Sequence, residues 1–457
     1  MRFSAATLGA VLQAQLPSGA TGLVVAVSGG MDSACLLNAL VRWRAEWDSV
    51  LPERGRFSIR AVHVNHGLQP AAADFARSCG RLCEELGIPL DVLAVEVDST
   101  SGVSIEAAAR DARYRALERN LGSGECLLTA HHAMDQAETL LLQLLRGAGL
   151  KGLSAMPVCR PFGKGWHLRP LLDVPKPELR AFGEAAGIVA ARYAVSDPMN
   201  LDPRFDRVYL REQLWPAIEQ RWPGAAVALS RTARHVADAQ GLLDQSAALL
   251  VHKLRDGEAL SVPGLRALPA TQRLNALRHW IASRAVTPPS TARLQEAVRQ
   301  IIEAEQDRRP AAIWGGHALR RYRDRLFLTA STVPRFGDSR EWSIDPAARL
   351  ELGDGLGTLR WSARLGGLDR ARLPRVLRVR QRQGGETLRP GARAKTQSVQ
   401  HLCQSMGVLP WMRDALPLLY AGESLVGIGD LWRDARWCVD GKAPGLACVW
   451  ENAPIIV

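Results

Sequence analysis

The chain has 457 residues, 47% of them hydrophobic, and a formal net charge of +12. That length exceeds one ordinary domain, so roughly two to four are expected, and no apolar run approaches the ~18 residues of a bilayer-spanning helix, so no membrane partner is expected. The positive charge points to a polyanion such as nucleic acid, while eight cysteines with no CxxC pair, and no signal-peptide pattern, predict a reduced, cytoplasmic protein.

Gly22 to Val27 predicts a buried strand and Met31 to about Arg44 a helix. Ile59 to Val64 predicts a second strand, then a helix over 72–87 with Phe75, Cys79, Leu82, Cys83 and Leu86 on one face. Leu90 to Val97 reads as a third strand, and Ser104 as the N-cap of a helix running to about Asn120. Cys126 to Thr129 is a fourth strand and Met134 to Leu145 the next helix. This alternation predicts a doubly wound parallel α/β sheet, whose ligands bind beyond the carboxyl ends of its strands. Ser28 to Ser33, Asn65-His66 and His131-His132 all fall at such ends.

The stretch VVAVSGGMDSACLL, residues 24–37, combines a strand end, two glycines and a helix start. Gly29 and Gly30 let the backbone turn and bring its N–H groups to a ligand. The helix from Met31 turns its positive end to the same point. Ser28 and Ser33 add hydroxyls, so Ser28, Gly29, Gly30, Met31, Asp32 and Ser33 form an anion cradle suited to phosphate. The block is neither GxxxxGK[ST] nor GxGxxG. In HHAMDQAETLLLQLL, the carboxylates of Asp135 and Glu138 converge on one face near a helix start, where negative charge is favoured. They are either ordinary helix-start acids or part of a site that also holds His131 and His132.

The hexapeptide SGGMDS resembles the pyrophosphate-loop signature SGGxDS of the N-type ATP pyrophosphatases, which split ATP into AMP and pyrophosphate and adenylate an oxygen of their substrate. Other stretches follow in order: HVNHGL at 63–68, IEAAARDARYRAL at 105–117, TAHHAMDQAETLLLQLLRGAGLKGLSAM at 129–156 and RPLL at 169–172. Together with SDPMNLDPRFDRVYLR at 196–211, RQRQGGETLRP at 380–390 and LPWMRDALPLLYAGESLVGIGDLW at 409–432, they resemble the tRNA(Ile)-lysidine synthetase family. The chain departs from that family's pattern at Met134, where an acid is usual, and at Val208, where Asn is usual.

The resemblance implies a PP-loop catalytic domain over 1–215 and a mainly helical tRNA-binding middle domain over 216–330. A connecting region over 331–374 and a small mixed α/β C-terminal tRNA-binding domain over 375–457 follow. The implied activity is ATP-dependent ligation of L-lysine to the wobble cytidine of a minor isoleucine tRNA, with ATP and Mg²⁺ as cofactors. Asp32, His132, Asp135 and Glu138 are the expected catalytic residues. Asp135 and Glu138 would hold Mg²⁺ or the lysine amine, and His131 or His132 is the candidate base. Asn65, His66, Arg110, Arg113 and His131 are expected against substrate, although surface arginines would look the same. The window from Arg360 to Arg413 holds twelve basic residues against Asp369 and Glu386, and Arg378, Arg380, Arg382 and Arg389 are its candidate phosphate contacts. Trp411, Trp432 and Trp437 are expected in the core. The alternatives are another PP-loop enzyme such as a tRNA thiolase, or a non-catalytic tRNA-binding protein; a homodimer is allowed but not required.

Overall fold

Leu23, Val24 and Val25 are at most 1% exposed, and the strand they form is central to a six-stranded sheet. Each such side chain contributes about 1.5–3 kcal/mol when fully buried. In this computed structural model the described residues are 2–50, 57–65, 72–96, 105–188, 206–303, 311–333, 335, 337–353 and 355–454. They fall into two units, Met1–Leu243 and Asp244–Val457.

The first unit runs α1 (Ala5–Gln15), β1 (Gly22–Ala26), α2 (Met31–Val50), β2 (Ser58–Asn65), α3 (Ala72–Leu86), β3 (Leu90–Ala94), α4 (Ile105–Asn120), β4 (Glu125–Leu128) and α5 (Ala133–Leu145). A short α6 (Leu150–Leu153), the hairpin β5 (Cys159–Phe162) and β6 (Gly165–Leu168), and α7 (Lys176–Ala185) follow. Strand order is β3-β2-β1-β4-β6-β5, parallel except for the β5–β6 pair. The predicted doubly wound sheet is therefore present. The order reverses at β1 and β4, and a ligand crevice opens at such a switch point. Cys79 and Cys83 are 1% exposed, in the core as expected. Sequence periodicity did not foresee α1, α7 or the β5–β6 hairpin, whose strands have only four residues each.

The second unit holds helices Val262–Ala267, Ala270–Ser283 and Thr291–Ala297, and the long helix Ala225–Leu254 ends in it. After these helices, RRPAAIWGGHALRRYRDRLFL at 308–328 reads in the sequence as a turn and short strands, and the structure has strands Ala311–Trp314, His317–Tyr322 and Arg325–Ala330 there; with Arg255–Asp256 and Ala259–Ser261 they build a five-stranded antiparallel sheet. Among the described residues the rest is mostly antiparallel β with one α-helix, Val399–Met406. Arg340–Ser343 pairs with Val376–Arg380 in a second five-stranded sheet, so part of the expected connecting region is a strand of the C-terminal part. Trp342 and Trp361 explain why: both are buried and stack with centroids 4.0 Å apart. Trp411, Trp432 and Trp437 pack against the same core. Among the described residues no helix is long and apolar enough to cross a membrane.

Candidate functional site at the switch point

The cradle is built by its own side chains. Gly29 has φ 81°, and a Cβ there would stand 2.8 Å from Cδ1 of Phe75 on α3. Gly30 has no such need. Ser33 is 5% exposed; its hydroxyl donates to the Gly30 carbonyl at 2.9 Å and accepts from the Ser28 N–H at 3.2 Å. Ser28 Oγ in turn accepts from the Gly30 N–H at 3.3 Å. Ser33 thus shapes the loop, while the first N–H groups of α2 stay free of helical partners, as at any helix start. We expect Gly29→Ala to destabilise the fold by about 2 kcal/mol, from the left-handed backbone and the strain against Phe75. A urea titration measures it, and an unchanged midpoint would mean the loop adapts.

One bridge ties the start of α2 to the start of α5. His132 is 3% exposed; its Nε2 lies 3.5 Å from Asp32 Oδ2 and its Nδ1 3.3 Å from Asp135 Oδ2. Asp135 also caps α5, accepting from the His132 N–H at 2.9 Å. Burial alone would lower the pKa of His132, but the bond to Asp32 and the field of Asp135 outweigh it and raise the pKa. Burial likewise pushes Asp32 up, yet His132, Lys176 and Arg211 together leave it below its ordinary value. Both directions reflect a buried imidazole set between two carboxylates.

Glu138 is fully buried. Arg211 grips it with two parallel bonds, Nε to Oε1 at 2.8 Å and Nη2 to Oε2 at 3.0 Å, and lies 3.8 Å from Asp135 Oδ1. Burial still raises the Glu138 carboxyl, with Arg211 opposing. Arg207 donates to Thr139 Oγ1 at 3.0 Å, and Thr139 donates to the Asp135 carbonyl at 2.7 Å. The motif at 196–211 therefore ends in two arginines that hold the acidic helix, roles its sequence did not reveal; its residues 196–205 lie outside the described residues.

Asn65 ends β2 half-buried, and Arg110 and Arg113 are exposed on α4, Arg110 over the Tyr114 ring at 5.2 Å. Both His66 and the predicted N-cap Ser104 lie outside the described residues. His131 is half-buried beside a second, unforeseen group comprising Thr129, His167 and Arg169. Among the described residues no cluster of three or more His, Cys, Asp or Glu could hold a metal on its own.

In the second unit the expected arginine cluster is largely bonded within the protein. Arg378 pairs with Glu423 at 2.8 Å, and Arg380 lies over the Tyr420 ring and donates to its hydroxyl at 2.7 Å. Arg382 is 3.7 Å from Glu386, and Arg389 donates to the Ala394 carbonyl at 2.9 Å. Among the described residues the exposed side chains of Arg364, Arg370, Arg375, Arg393 and Lys395 have no hydrogen-bond or ion-pair partner.

Comparison with known proteins covers nearly the whole chain. The model of a PP-loop domain matches residues 5–218, that of a TilS substrate binding domain residues 260–327, and that of a TilS substrate C-terminal domain residues 377–450. The tRNA(Ile)-lysidine synthase of Alkalilimnicola ehrlichii is 40% identical over 441 residues, 95% of this chain and 94% of that protein. The corresponding proteins of Xanthomonas campestris pv. campestris and Coxiella burnetii are 39% and 37% identical, covering 94% and 88% of this chain and 95% and 87% of their own. Among solved structures, a U34-tRNA thiolase from Methanococcus maripaludis is 16% identical with a TM-score of 0.40, covering 51% of this chain and 78% of that one.

Proposed function

The chain belongs to the tRNA(Ile)-lysidine synthase family, and on that premise we propose that it ligates L-lysine to C2 of the wobble cytidine of a minor isoleucine tRNA with a CAU anticodon, consuming ATP. The observation that carries this to particular residues is the Asp32–His132–Asp135 bridge beside the phosphate cradle at the switch point. In the first step the cytosine O2 attacks the α-phosphorus. The new O–P bond forms as the bond to pyrophosphate breaks, and pyrophosphate leaves with that electron pair. The cradle N–H groups meet the phosphate charge. In the second step a lysine amine attacks C2, and AMP leaves with the electrons of the C2–O bond. Free lysine has a pKa near ~10.4, so one proton must leave its ammonium first. The partly exposed Asp135 can dock that ammonium.

Mg²⁺ fits a site of this kind, because it is bound through one or two carboxylates plus substrate phosphates. Asp32 and Asp135, both against His132, would hold it, and it would neutralise charge on the phosphates. Both oxygens of Glu138 are engaged by Arg211, so we place Glu138 as the anchor of that arginine rather than among the metal ligands. An iron–sulfur or zinc-ribbon thiolase is less suited to this chain, whose eight cysteines include no CxxC pair. The deciding experiment is mass spectrometry of nucleosides from isoleucine tRNA incubated with the protein, ATP and lysine. Lysidine is expected in place of the wobble cytidine, and unmodified cytidine under saturating conditions would overturn the reading.

For the tRNA backbone, the unpaired cations are better placed than the bonded ones. Arg393 and Lys395 share the exposed loop between strands Thr387–Leu388 and Gln397–Ser398. Phosphate contacts release counterions, about 0.9 per contact on duplex. Replacing both with Ala should weaken tRNA binding and flatten the slope of log affinity against log salt by up to about 2. Substituting Arg378, Arg380, Arg382 and Arg389 together would instead mix lost packing with lost RNA contact. Parallel slopes for wild type and the double variant would remove this loop from the interface.

A further inference from the structure

Four residues on two segments, 129–131 and 167–169, form a continuous hydrogen-bonded chain ending at the site. Arg169 Nη2 lies 3.1 Å from His167 Nδ1, His167 Nε2 lies 2.8 Å from Thr129 Oγ1, and Thr129 Oγ1 lies 2.8 Å from His131 Nδ1. His167 is fully buried and Arg169 is 4% exposed. Arg169 is anchored by a bond from Nη1 to the Pro157 carbonyl at 2.8 Å.

The donors can be assigned by elimination. A guanidinium only donates, so His167 Nδ1 accepts and the ring hydrogen of neutral His167 sits on Nε2. That N–H donates to Thr129 Oγ1. The threonine hydroxyl has one hydrogen of its own, and His131 Nδ1 is its only other partner among the described residues. Donating it there leaves His131 with its hydrogen on Nε2. Among the described residues His131 Nε2 has no partner, so its N–H is available to a ligand. Burial supports neutral rings at both positions: it pushes His131 down to about 4, with the nearby arginines adding to the effect, and drives His167 lower still.

We propose that Arg169, His167 and Thr129 are positioning residues that lock His131 in the Nε2–H tautomer, so that His131 meets the nucleotide substrates as a hydrogen-bond donor to an oxygen and not as a base. The substrate part of this inference rests on the ligase reading above; the tautomer part does not. No proton is transferred: the donor stabilises negative charge that grows on a nucleotide oxygen during adenylation, and the relay keeps the donor aimed.

Two measurements test it. Long-range ¹H–¹⁵N spectra of ring-labelled protein without substrates should show His131 with Nδ1 unprotonated and Nε2 protonated, changing to a tautomer mixture in Thr129→Val. A protonated Nδ1 in the wild type would overturn the proposal, whatever the protein catalyses. The second readout is single-turnover pyrophosphate release with tRNA and ATP but no lysine. Thr129→Val should slow it about tenfold with little change in the ATP concentration needed. Gln at 131 carries a donor near the Nε2 position but cannot act as a base, so His131→Gln should keep much more rate than His131→Ala. In the His131→Gln background, Thr129→Val should have no further effect, the non-additivity expected of residues acting through one another. If His131→Gln is as slow as His131→Ala, the donor role is wrong.

Discussion

Replacing Asp32 with Ala is expected to slow formation of adenylated tRNA by on the order of a hundredfold or more, while tRNA binding stays near wild type. Asp32 stands in the first turn of α2, at the mouth of the cradle, and holds His132 from one side while Asp135 holds it from the other. Its removal takes away the proposed Mg²⁺ carboxylate and leaves His132 with a single acidic neighbour. The uncompensated cations suited to RNA, Arg393 and Lys395, belong to a different unit. ATP–pyrophosphate exchange, or direct detection of adenylated tRNA, measures the first effect, and tRNA binding in a filter assay the second. A variant that adenylates at near wild-type rate would remove Asp32 from the reaction.

Arg211→Met should be damaging in a different way. Glu138 is fully buried, and among the described residues Arg211 supplies both hydrogen bonds that its carboxylate accepts. Removing one member of a buried ion pair costs about 3–5 kcal/mol, and Arg211 is partly exposed, so the lower end applies. Without the arginine the carboxyl, already raised by burial, takes up a proton. The double variant Arg211→Met/Glu138→Leu should recover most of the stability, because an apolar pair of similar size often replaces a buried ion pair without loss. It should not recover lysidine formation, since the cation beside Asp135 is gone. Thermal unfolding and nucleoside analysis of both variants separate the outcomes. A double variant with restored activity would make Arg211 a structural residue only.

The parallel sheet, the glycine turn proposed as a phosphate cradle and the acidic helix were all legible in the sequence alone. Those features are local: a buried apolar run, a glycine-rich turn and an i,i+3 spacing each declare themselves within about ten residues. The sequence also identified His131, His132, Asp135 and Glu138 as neighbours, because one helix start carries them all. Three things required the tertiary structure. Arg211 meets Glu138 across 73 positions, and ion pairing leaves no periodic trace in the chain. His167 and Arg169 reach the site only because β6 lies parallel to β4, with Leu127 beside His167, a strand order that no local pattern encodes. The basic window looked uniform as a string of arginines, yet folding divides it. Some of its cations are spent on Glu423, Tyr420, Glu386 and backbone carbonyls, and others stay exposed and unpaired. Charge is a property of the sequence, but whether a charge is available to a partner depends on which groups the fold brings within hydrogen-bond distance of it.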